Sequence, residues 1–229
     1  MSTQIALTNE QALAEYEKML QDQAGAIADR IGKPSGNTIS TKGKQFKLPD
    51  GTISAGPMRA IVLDWVAYHA HYDGAYDPNN PKPPNCFALG DMSGLTPSPN
   101  APARQSDACA GCPKNEWGSA ATGRGKACKN QYRLAIIPEN LEGPDPKKMF
   151  TITVSPTGMK AFDAFVRTAS KDLNALPIRC AIDIGFNAAE AYPTLTFGNP
   201  GIHNNLAVAM QLQNQAREML LREPETAGD

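Results

Sequence analysis

Four of the chain's five cysteines, Cys86, Cys109, Cys112 and Cys128, crowd into one stretch rich in Gly, Pro and Lys. A segment of that composition has no apolar core of its own, so it needs a local anchor, and four thiolates satisfy one tetrahedral ion. The Cys109-Ala-Gly-Cys112 spacing lets one tight turn deliver two sulfurs. Gly111 permits a positive backbone angle there, and Pro113 fixes the exit. The pattern reads as a zinc clip. An iron-sulfur cluster uses the same four thiolates, a disulfide is the reading for an oxidising compartment, and unligated cysteines packed as small hydrophobes are the plain alternative. With sulfur in all four positions a zinc ion has no open site for water or substrate, so it shapes a loop and does no chemistry. Cys180, in the apolar run Pro177-Ile-Arg-Cys-Ala-Ile182, reads as core.

The 229 residues, 41% of them hydrophobic, are enough to bury one large domain or one domain with an insertion. There is no apolar leader or long apolar run, which points to the cytoplasm and to no membrane partner. The net charge of -1 conceals a pattern. Residues 33–59 hold five basic side chains against one acidic, and residues 104–133 hold six against two, while both ends of the chain are acidic. A basic middle between acidic ends suggests a polyanion-binding face, and the second basic run lies inside the cysteine loop, where a metal would hold it in place.

Along the chain, Leu13, Tyr16, Leu20, Ala24, Ile27 and Ile31 recur at helical spacing after a capping box at Thr8 and Gln11, predicting a helix over residues 1–32. A hairpin turns at Pro49-Asp50-Gly51, and residues 61–72 form a long strand on which Ile61, Leu63, Trp65 and Ala67 share one face. Prolines empty residues 73–124 of regular structure. Strands are expected over 132–137, 150–154, 178–184 and 194–197, with a helix opened by Ser155 and Pro156 between the second and third. A final helix over 203–221 carries Leu206, Met210 and Met219 on its apolar side, and a short acidic tail follows. The order predicts a β-rich α+β fold: an OB-like five-stranded barrel over 33–200, a metal-bearing insertion at about 73–131, and flanking terminal helices.

The run Cys109-Ala-Gly-Cys-Pro-Lys-Asn-Glu-Trp-Gly-Ser-Ala, the run Gly123-Arg-Gly-Lys-Ala-Cys-Lys-Asn, and Tyr76-Asp-Pro-Asn-Asn-Pro ahead of Cys86 resemble small four-cysteine proteins of the replication and recombination modules of tailed bacteriophages. The likeness spans about residues 33–197. More distantly, a barrel with a zinc-clipped insertion is similar to the zinc-containing single-stranded DNA-binding proteins of phages. The resemblance implies a setting in phage replication or recombination.

A groove for single-stranded DNA needs cations that follow the phosphates and rings on which bases stack. Candidates are Lys42, Lys44, Lys47 and Arg59, the rings of Trp65, Tyr68 and Tyr72, and Arg124, Lys126, Lys129, Tyr132 and Arg133 on the cysteine module. Trp117 is either pinned on the metal knuckle or offered to a base. His69 and His71 alternate onto one face of the long strand, where they are satisfied surface or core groups or stand in for a cysteine. As an enzyme the chain is poorly equipped. The stretch from Gly118 to Lys126 has Ala120 and Ala127 where a phosphate loop needs Gly and a hydroxyl, and the carboxylates Asp64, Asp145, Asp163 and Asp183 have no telling spacing. The expected function is sequence-tolerant binding of single-stranded DNA. A metal-dependent or iron-sulfur nuclease and a zinc-clipped protein-interaction module are the alternatives. The acidic C-terminus would meet replication or recombination proteins.

Overall fold

A computed structural model describes residues 37–74 and 82–224; the helix expected over 1–32, the Tyr76 motif and the last acidic residues lie outside them. Its centre is the 14-residue strand β3 (Met58–His71), preceded by the hairpin of β1 (Phe46–Lys47) and β2 (Ile53–Ser54). That hairpin turns where expected, with Asp50 Oδ1 accepting the Thr52 N–H at 2.9 Å. The remaining strands are β4 (Cys86–Gly90), β5 (Cys128–Pro138), β6 (Phe150–Val154), β7 (Cys180–Phe186) and β8 (Leu195–Ile202). Together with β3 they form one six-stranded sheet, five in the order β6-β5-β3-β7-β8 and β4 paired to β3 off that path, every pair antiparallel.

The fold is β-rich α+β, but the sheet is open and no barrel closes. β5 runs along nearly all of one edge of β3, from Ala60 to His71. The other edge is divided: β7 takes Met58 to Ile61, and β4 takes Ala67 to His71. The two ends of the order, β6 and β8, do not pair with each other, so the sheet stays open.

Helix α1 (Met159–Lys171) covers one face of the sheet and α2 (Leu206–Leu220) the other. Under α1 lie Ala60, Val62, Leu134, Ile136, Ile182 and Ile184, met by Phe162, Phe165 and Ala169 at the spacing the sequence showed. Ser155 does not cap α1. It closes a turn in which the Gly158 N–H meets its carbonyl at 2.9 Å, and the helix starts only after Gly158. A β-carbon at Gly158 would stand 3.1 Å from Val154 Cγ1, so any larger residue there must push that side chain aside. Under α2 lie Ile61, Leu63, Val66, Ala135 and Ile137. The helix presents Ala209, Leu212, Ala216 and Leu220 to them, while Met210 is exposed. Its small residues let it sit close to the sheet, which a reading by large side chains misses. His203 is buried ahead of α2, with Nε2 at 2.8 Å from the Ile178 carbonyl and Nδ1 accepting the Asn205 N–H at 2.9 Å.

One irregularity changes which residues face which way. The β3 to β5 ladder slips between Val62 and Asp64, leaving Leu63 as a bulge. Beyond it the alternation inverts, because one extra residue exchanges the two faces of a strand. Trp65 therefore joins the face of Val62 and meets the Phe162 ring at 5.4 Å, apart from Ile61 and Leu63. Asp64 turns to the α2 face, where Arg217 NH1 stands 3.4 Å from its carboxylate.

Candidate metal centre and nucleic-acid face

β4 and β5 both start where β3 ends, so Cys86 and Cys128, their first residues, fall in one row with His71: Cys86 across one edge and Cys128 across the other. Two residues back along β3, His69 lies on the same face, opposite Ala88 and Asn130. The loop from β4 to β5 must cross this face to change edges, and it carries Cys109 and Cys112. Cys109 packs over Ala67 and Ala88, and its N–H reaches the Leu95 carbonyl at 3.0 Å. Gly111 has φ of 72°, the positive angle expected of it, and a 3-10 turn over Pro113–Asn115 follows Cys112.

The four cysteines, His69 and His71 thus line one cavity of about 20 Å³. That is room for one water-sized body. None of the five cysteines is in a disulfide. Burial, then the neighbouring Cys86 and Cys112, pushes the Cys109 thiol up to about 11. Burial followed by Cys109, Cys86 and Cys112 pushes Cys128 up to about 12. These are thiols close enough to oppose one another's ionisation, and a cation among them would reverse that by favouring thiolates.

Among the described residues no group of three His, Cys, Asp or Glu side chains is arranged so that it could already hold an ion. The backbone brings the donors to one cavity; the side chains stand apart within it. Three observations nonetheless fit a metal: an all-thiol and imidazole donor set, a single-ion volume, and an imidazole on the cavity wall whose two nitrogens are orphaned. His69 is 4% exposed, burial draws its pKa down to about 4, and neither ring nitrogen has a hydrogen-bond partner. Asn130 Oδ1, beside it, is also buried and unpaired. Such atoms cost roughly 1–3 kcal/mol each unless something meets them. His71 differs, with Nε2 at 3.1 Å from Asp73 Oδ1 and Nδ1 at 3.4 Å from the Ala127 carbonyl.

The rest of the loop forms a knuckle held by side-chain bonds to backbone. Asn115 Nδ2 donates to the Cys109 carbonyl at 2.8 Å. Ser119 Oγ lies 2.7 Å from the Glu116 carbonyl and accepts the Ala127 N–H at 2.9 Å, and Gly118 N–H meets the Gly125 carbonyl at 2.7 Å. Trp117 stands on this frame 81% exposed, so it is not pinned. Beside it Arg124 and Lys126 are exposed, Lys126 also reaching Asn115 Oδ1 at 3.1 Å. Lys129 Nζ lies over the exposed Tyr72 ring, 5.5 Å from its centroid.

The twelve residues expected to line one groove do not share a face. Trp65 and Tyr132 are packed on Phe162, the latter at 5.5 Å. Tyr68 is buried beneath the Arg133 guanidinium, 4.6 Å from its ring centroid, and Arg133 itself donates to the Leu220 and Arg222 carbonyls at 3.1 and 2.7 Å. Arg59 ties strands together through Glu139 at 3.1 Å, Asp183 at 3.3 Å and the Asn199 carbonyl at 2.6 Å. Lys44 Nζ reaches the Asn187 carbonyl at 3.2 Å, and Lys42 and Lys47 flank it beside β1. Those lysines and the knuckle lie at opposite ends of β3, roughly 40 Å apart at about 3.3 Å per residue. Arg124 and Lys126 remain on the knuckle with Trp117, while Tyr72 and Lys129 pair with each other on the face of β3 and β5 turned away from His71 and Cys128. The scattered carboxylates stay scattered: Asp64 pairs with Arg217, Asp183 with Arg59, and Asp145 caps the Lys147 N–H.

No family model, curated protein or solved structure matches the chain. No helix among the described residues is long and apolar enough to cross a membrane.

Proposed function

We propose that the chain binds single-stranded DNA without strong sequence preference, through a knuckle stiffened by one zinc ion drawn from the cysteine cavity. The observation that carries this reading is Trp117, 81% exposed on a hydrogen-bonded frame and accompanied by exposed Arg124 and Lys126. A large apolar ring left in water costs free energy that an unpaired base recovers by stacking, while the cations meet phosphates and give no preference among bases. Tyr72 under Lys129 offers a second ring. The small cavity favours a single ion over an iron-sulfur cluster, whose several heavy atoms exceed a water-sized volume. The resemblance to phage four-cysteine proteins supports a setting in replication or recombination.

The test is fluorescence anisotropy of labelled oligothymidylate against salt. Arg124, Lys126 and Lys114 on the knuckle make three contacts, and a single-strand slope of about 0.7 per contact predicts affinity falling about twenty-fold between 50 and 200 mM salt. Salt-independent binding, or none at 50 mM, would refute the reading. Binding only to an acidic protein would favour the interaction module, and magnesium-dependent loss of the labelled DNA would favour the nuclease.

A further inference from the structure

The three buried side-chain nitrogen and oxygen atoms without a partner among the described residues all belong to two facing residues, His69 on β3 and Asn130 on β5. Buried polar groups are nearly always paired; Asn130 can serve at most one ring nitrogen of His69, so the other, on a residue that lines the thiol cavity, points to a partner that the protein's own atoms do not supply. We infer that His69 is a ligand of the ion in this cavity, together with Cys86, Cys109 and Cys112, and that Cys128 is left as a spare thiol. The inference rests on the metal reading above and assigns its donors.

The strand ladder shows why one thiol is surplus. Cys86 and Cys128 flank His71 in a single row, on β4 and β5. With strands about 4.8 Å apart, the two positions are separated by nearly 10 Å. Two sulfurs on one zinc, each about 2.3 Å from it, are less than 4 Å apart, and one Cβ–Sγ bond at each end does not close that difference. A tetrahedral ion bound to one of these cysteines leaves the other outside unless the ladder bends, and a fifth donor then takes the fourth position.

Asn130 decides the side. It faces His69 from β5, where its carbonyl oxygen can accept one ring N–H. A ligating histidine characteristically gives its second N–H to such an oxygen, which fixes the tautomer and aims the other nitrogen away. Away from β5 is the β4 side. There Cys109 packs over Ala88, directly opposite His69, and Cys86 lies two residues from Ala88 on the same face. Cys112 follows Cys109 through the Gly111 turn. His71 is engaged by Asp73 and Ala127 and is not needed.

The test is X-ray absorption at the zinc edge on the purified full chain, with metal content measured on the same sample and on variants. The expected first shell is three sulfurs and one nitrogen with imidazole scattering behind it. His69→Ala should abolish that scattering, and Asn130→Ala should weaken zinc binding about 10- to 100-fold. Cys128→Ser should keep one zinc per chain with an unchanged spectrum, whereas Cys86→Ser should lose it. A four-sulfur shell without imidazole, or zinc loss in Cys128→Ser, overturns the assignment while leaving the metal reading intact. A wild-type chain that holds no ion overturns both.

Discussion

Replacing Trp117 by alanine separates binding from folding more sharply than any other single change. The side chain is 81% exposed, and the bonds that fix its loop come from Asn115, Ser119 and backbone groups, not from the indole. Removing it should therefore shift unfolding free energy by no more than about 0.5 kcal/mol, as at an ordinary surface site. If a base stacks there, the loss in binding is roughly 1–3 kcal/mol. At 1.4 kcal/mol per decade that weakens oligothymidylate affinity between about 5- and 150-fold. Anisotropy titration at fixed low salt gives the affinity, and urea unfolding followed by circular dichroism gives the stability. The chain has two tryptophans, and Trp65 is packed on Phe162, so quenching of the more red-shifted, exposed emission by the oligonucleotide should vanish in Trp117→Ala. Unchanged affinity, or an affinity loss matched by an equal loss of stability, would refute the argument.

Phe162 is fully buried and touches four rings, Trp65, Tyr132, Phe165 and Phe197, at 5.3 to 5.9 Å. Phe162→Ala should cost about 3–5 kcal/mol in urea unfolding, and a cost under 1 would mean that α1 does not pack as described. Arg59→Ala should leave DNA affinity within two-fold and reduce stability by only about 1 kcal/mol, since its ion pairs are partly open to solvent; a tenfold affinity loss would return Arg59 to the binding face. The Asn199 amide, and after it Arg59, hold the Asp183 carboxyl below the usual carboxylate range. Its contribution is therefore full above the ordinary carboxylate pKa and lost as pH falls through the lower folded value. Asp183→Asn should flatten the acid limb of a stability-versus-pH curve, and an unchanged limb would show that the carboxylate contributes nothing.

The sequence made the strands and α1 legible where apolar periodicity was strong, as at Phe162, Phe165 and Ala169. It concealed β4, whose five residues follow a proline cluster and are too short to alternate visibly, and without β4 the divided edge of β3 cannot be foreseen. It also concealed the bulge at Leu63, because an inserted residue leaves composition unchanged while exchanging the faces beyond it, which is how Trp65 came to be grouped with Ile61. The cysteines announced themselves by spacing. Their row with His71, the orphaned His69 and its neighbour Asn130 depend on the cross-strand register, which spacing along one chain does not encode. For the basic and aromatic residues, interleaving in sequence overstated proximity: a strand of 14 residues carries its two ends far apart.

On the proposed reading a bound ion holds the knuckle in the form that meets DNA, while the sheet and its two helices stand without it. That reading is tested by measuring oligothymidylate affinity of one preparation before and after a chelator strips the ion, with circular dichroism recorded on each. Stripping should reduce affinity at least tenfold and leave the sheet signal in place, and added zinc should reverse the loss. Equal affinity in the stripped and loaded protein would contradict that reading.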